Sequence, residues 1–165
     1  MAWRDSFKWL AMIYPALKLI HLVSATILFG GGIFAALLGT IVFGSRKAKL
    51  IAEVGPHIVK VESYLTVLSA LAQIVTGLWL ASLAGFPVLA GWLGWAFLLF
   101  CVAGLCWILG VWLQHRMVDL SRKAVETHSE LPDAYQKHFR NWTLLGLPST
   151  TAMIGIFYFM VFKPG

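Results

Sequence analysis

The chain has 165 residues, of which 59% are apolar and only 12% charged, and its mean hydropathy is +0.80. A soluble domain carries roughly 25% charged and 45–50% apolar residues, and one this short has too much surface to bury so many large side chains. A water-soluble enzyme is excluded, and a single domain dissolved in lipid is expected.

Four stretches reach the roughly 20 apolar residues that span a bilayer: residues 15–43, 61–83, 92–113 and 142–162. They predict an all-α membrane protein, a four-helix antiparallel bundle forming one domain over residues 1–165. Residues 6–14 are expected to lie along the interface before Pro15. The first apolar run is far longer than a signal-peptide core of about 7–15 residues, so it is read as a retained helix. Trp3, Trp9 and Tyr14 precede that helix, Trp92 and Trp95 open the third, Trp112 closes it, and Trp142 opens the fourth. Such aromatic belts mark headgroup depth.

Residues 44–60 connect the first two helices, residues 84–91 form an uncharged Gly/Pro turn, and residues 115–141 are the one long polar segment. Residues 119–127 read as a short helical extension that Leu131-Pro132-Asp133 breaks. The net charge is +6. In a soluble chain that would suggest nucleic acid; here the basic residues lie between apolar runs, and no nucleic-acid partner is expected. Nine of the 13 Lys and Arg fall in the two polar connections, against four on the opposite face (Arg4, Lys8, Lys18 and Lys163). The positive-inside rule places loops 44–60 and 115–141 in the cytoplasm and both termini outside. Cys101 and Cys106, about 140° apart on one helix, read as small apolar residues rather than a bridge.

Polar side chains inside the spans carry the functional question, because ionisable residues there are costly. His21 lies about 9 Å into the first helix. Ala25, Gly32, Ala36 and Gly39 follow it at helical spacing. Such a small-residue face either admits a neighbouring helix or leaves room for a flat cofactor beside an imidazole. Glu62 is the one acid within the spans, and Thr66, Ser69, Gln73 and Thr76 continue a polar line down the second helix. Lipid would not tolerate that line, so it is expected to face the bundle interior. It serves either as a proton or substrate path or as interhelical hydrogen bonding. His57 and His115 fall at the same inner depth and could clamp a ligand together, or could be solvated interface residues like His128 and His138. The first helix separates His21 from that depth by about 33 Å.

The first helix reads Lys18-x-x-His21 and then Gly30-Gly31-Gly32, the second ends Gly77-Leu78-Trp79-Leu80-Ala81, and the chain closes Lys163-Pro164-Gly165. Taken together these resemble a bacterial family of four-helix membrane proteins of unknown function, over nearly the whole chain. They are also distantly similar to the HemJ-type protoporphyrinogen oxidases, which bind b-type haem. That resemblance implies His21 as an axial haem ligand with Lys18 beside it to meet a propionate. It does not carry over an enzyme activity: where the HemJ pattern has a third-helix Lys, this chain reads Trp92-Leu93-Gly94-Trp95-Ala96-Phe97. By depth in the bundle, Met153 or Met160 would complete a His/Met pair, or the sixth position stays open, and His57 with His115 would make a second, inner haem site.

The expected function is therefore b-type haem binding, with one or two haems, and electron transfer or oxidoreductase work in the cell membrane. A redox partner or quinone and a homodimer are the partners this implies, besides the bilayer. Two alternatives stand beside it: a cofactor-free transport or binding protein using the line from Glu62 to Gln73 and Thr76, and a structural membrane subunit.

Overall fold

A computed structural model describes the backbone of residues 2–164 and the side chains of residues 12–164. Its described residues form four long α-helices: α1 (Ala2–Gly44), α2 (Ala48–Ala84), α3 (Gly91–Glu126) and α4 (Asp133–Phe162). The all-α bundle expected from hydropathy is the observed fold. The helices are longer than their apolar cores, because α2 and α3 continue past the hydrocarbon as polar helix. The connection expected over residues 44–60 shrinks to residues 45–47, and helix resumes at Ala48. At 1.5 Å per residue α2 is about 55 Å long, well beyond the ~30 Å apolar core of a bilayer. No boundary falls at Pro15 either, since α1 runs through it as one helix. The side chains of Trp3, Arg4, Lys8 and Trp9 lie outside the described residues.

The turns have local causes. Gly85 sits at φ 70° after α2, the left-handed conformation that closes a helix with least steric cost. The amide of Phe86 then donates back to the Ala81 carbonyl at 3.0 Å. The extension of α3 predicted for residues 119–127 is present, and α3 stops at Glu126. Lys163 ends α4 and reaches over the rings of Phe86 and Trp92 at 5.9 and 5.7 Å.

Successive helices pack side by side as an up-and-down bundle, and α1 meets α4 over only a limited area. Packing is densest at the end bearing residues 45–47 and 127–132. There Phe43, Ile51, Met117 and Tyr135 are wholly buried, with Val42, Ile58, Val59 and Val118 around them. The Tyr135 hydroxyl donates to the Phe43 carbonyl at 2.6 Å, satisfying an acceptor that the end of α1 leaves free. Arg46 donates to Gln136 at 3.0 Å beside it. These bonds tie the start of α4 to α1. Elsewhere the surface is covered by exposed apolar side chains such as Phe34, Leu68, Leu105 and Leu147, which is what lipid as solvent requires.

Small residues play two different parts. A Cβ on Gly39 would lie 2.9 Å from the Trp142 ring, and one on Gly55 would lie 2.9 Å from Val118. At Gly30, Gly31 and Gly32 a Cβ would meet nothing within 4 Å. We expect Gly55→Ala to overpack the core and destabilise the bundle by about 1–3 kcal/mol. Gly32→Ala should be neutral or gain up to about 1 kcal/mol of helix stability. Thermal unfolding of both variants in one detergent checks the contrast, and equal melting temperatures would contradict the packing described.

Candidate functional site

The polar line of α2 does face the interior: Ser69 and Thr76 are buried, and Glu62, Thr66 and Gln73 are half-buried. It engages two different neighbours, about 21 Å apart along the helix.

At its Thr76 end it grips α1. His21 Nδ1 lies 2.9 Å from Thr76 Oγ1. The Thr76 hydroxyl has one proton, and it donates that proton to the Ala72 carbonyl one turn back. With its proton on that back-bond, Thr76 accepts from a His21 protonated on Nδ1, the tautomer whose Nε2 is a bare lone pair. No described residue hydrogen-bonds that nitrogen. The backbone is held as firmly as the ring: Gln73 Nε2 donates to the His21 carbonyl and, at 2.8 Å, to Ser24 Oγ. Ser24 in turn donates to the same carbonyl at 3.1 Å. Gly77 completes the seat, since a Cβ there would press to 3.2 Å from His21 Cε1. Lys18 is exposed one turn before His21.

At its Glu62 end the line engages α3. Gln114, only 1% exposed, donates through Nε2 to a Glu62 carboxylate oxygen at 3.0 Å. The indole N–H of Trp107 lies near the same carboxylate without a hydrogen bond to it, and it and Gln114 Oε1 are buried polar atoms without a described partner. Glu62 was legible in the sequence as an isolated intramembrane acid. Its partners were not. Gln114 is the first strong amide after the apolar run of α3, a signal overshadowed by His115 next to it.

His57 and His115 are both exposed, and no hydrogen bond orients either ring among the described residues. His138 packs edge-on against Trp112 at 6.1 Å. Among the described residues no group of three or more His, Cys, Asp or Glu could hold a metal ion, and both cysteines are free. A metal enclosed by protein ligands alone is thus not formed by them. An axial ligand to a macrocycle is a smaller demand, needing one oriented imidazole and open space. His21 supplies the first; the uncovered helix surface at Gly32 lies about 16 Å away along α1 and is not part of that seat.

Four apolar helices around an internal polar seam define a four-helix integral membrane protein. Over residues 15–164 the chain matches the family described as "Predicted integral membrane protein (DUF2269)", and it belongs to that family. No curated protein matches it, nor does any solved structure, and a similarity to HemJ-type oxidases is not shown by these comparisons.

The Glu62–Gln114 contact makes its own prediction. Gln114→Leu strips the buried carboxylate of its donor and should destabilise the bundle by about 1–3 kcal/mol. Glu62→Gln keeps a hydrogen-bonding pair and should stay within roughly 1 kcal/mol of the parent. Denaturant or thermal unfolding in detergent measures both, and a larger loss for Glu62→Gln would show that the charge itself holds the helices together.

Proposed function

We propose that this protein binds b-type haem through His21 Nε2 and works in one-electron transfer in the cell membrane. The observation that carries the reading is the contact of His21 Nδ1 with Thr76 at 2.9 Å: with the Thr76 proton on the Ala72 carbonyl, Thr76 accepts from Nδ1, which leaves Nε2 available to iron. A hydrogen-bond acceptor on the far nitrogen is the usual way a ligating histidine is oriented and made more basic. Gln73 and Ser24 fix the α1 backbone beneath the ring, so the imidazole is presented rather than merely tolerated. Lys18, one turn nearer the membrane surface, offers an ammonium to a propionate. The bound haem would supply the redox chemistry, and the helices its depth, orientation and surroundings. The loop around residues 45–47 and the segment 115–141 face the cytoplasm in this reading, with both termini outside, on the asymmetry of basic residues. His57 and His115, exposed and unoriented, support a second haem less well.

A second reading has its own observation. Gln114 is buried with its carbonyl oxygen unpartnered beside Glu62, which favours a cofactor-free binding or transport role for the polar seam.

An absorption spectrum separates the two. Protein purified from cells supplied with haem precursor should show a Soret band, and sharp α and β bands after dithionite. His21→Ala should abolish them. Thr76→Val, which removes the acceptor but keeps the shape, should weaken haem retention by about 10–100-fold. Colourless protein, or colour retained in His21→Ala, would overturn the haem reading and leave Glu62→Gln as the variant to test for loss of function.

A further inference from the structure

The polar-loop end of α3 and α4 carries a feature that neither reading uses. One face of α3 presents Trp112, Arg116, Asp119 and Lys123 at helical spacing. With Arg122 and with His138 of α4 these line a groove of about 520 Å³. Arg116 lies over the Trp112 ring at 5.3 Å, which holds the guanidinium above the indole rather than free in water. A second hollow of about 410 Å³ adjoins it at Trp112, which both share, and is walled by Leu109, Leu113, Leu144 and Leu145 with Asn141.

Charge changes along the groove in the direction a lipid's does. The indole of Trp112 belongs at headgroup depth. Three basic side chains lie on the loop side of it, against the two acids Asp119 and Glu126, and the leucine trough lies on the membrane side. We propose that this groove is a binding site for an anionic glycerophospholipid, its phosphate held by Arg116 and Lys123 and one acyl chain laid along the leucine trough. Basic pockets between helices on the side rich in Lys and Arg are suited to such headgroups. A soluble anion would use the basic half alone, and a zwitterionic lipid, whose phosphate is offset by its own cation, would gain less from it. The joined basic and apolar halves select a ligand with both parts.

The test uses the full chain in a mild detergent, with melting temperature read against added lipid, since a ligand that binds the folded state raises it with concentration. Phosphatidylglycerol should stabilise the protein more than phosphatidylcholine with the same chains, and salt should weaken the effect. Arg116→Gln with Lys123→Gln should reduce the apparent affinity for phosphatidylglycerol roughly 30-fold, on the scale of two surface charges. Lys49→Gln with Lys60→Gln, removing equal charge elsewhere on the same side, should change it far less. Leu144→Trp, or Leu109→Trp if the first variant folds poorly, should fill the trough and weaken the lipid. Equal stabilisation by phosphatidylcholine, or equal losses in the two charge-removing pairs, would overturn the proposal. So would glycerol phosphate acting as well as the lipid, or trough variants that bind it unchanged.

Discussion

A helix in lipid cannot hydrate its polar side chains, so every such group on α2 must find a partner within the protein or remain unsatisfied at a cost. Five polar residues on one face of α2, from Glu62 to Thr76, impose that constraint on the whole bundle. They determine which helices α2 lies between and at what height each one meets it. Thr76 and Gln73 meet α1 at His21 and Ser24, and Glu62 meets α3 at Gln114. A rotation of α2 by a quarter turn would break both contacts together and turn a carboxylate toward hydrocarbon. Each interhelical hydrogen bond in a membrane averages only about 0.6 kcal/mol, so their value lies in specifying register more than in raw stability.

The same constraint gives the imidazole its chemical character. Thr76 can receive a proton from the ring or give one, and its back-bond to Ala72 uses the proton it would give. That back-bond favours the tautomer protonated on Nδ1, with Nε2 as the available nitrogen. Packing elsewhere is compatible with this arrangement rather than responsible for it. The tightest core lies at the opposite end of α1, around Phe43 and Tyr135, and the middle of α1 near Gly30–Gly32 is left uncovered. Stability and the candidate site therefore occupy different parts of the molecule, and changes at one end need not disturb the other.

Much of this was legible in the sequence. Hydropathy alone gives four spans, because lipid demands long apolar helices, and the Glu62–Thr76 spacing correctly turns α2 inward. Helix ends were harder to read: residues 48–60 are charged yet helical, since polar helix outside the membrane has no hydropathic signature. Periodicity cannot say which neighbour a polar residue will meet, so Gln114 and Trp107 went unassigned. Nor could the small face after His21 be resolved from composition. Gly39 proves to be the close approach to Trp142, whereas Gly32 approaches nothing; residue size is the same and only the neighbour differs. His57 and His115 looked equivalent to His21 by residue type, but the ring of His21 alone among the three is held by a hydrogen bond.

The central claim is that His21 is held by Thr76 with its proton on Nδ1. It is tested most directly by nitrogen NMR on haem-free protein in bilayers, with ¹⁵N-labelled histidine and the His21 signals assigned by difference from His21→Gln. The account predicts a protonated Nδ1 and an unprotonated Nε2 in wild type, with that preference lost in Thr76→Val. A proton on Nε2 in wild type, or a tautomer unchanged by the loss of the threonine hydroxyl, would contradict it.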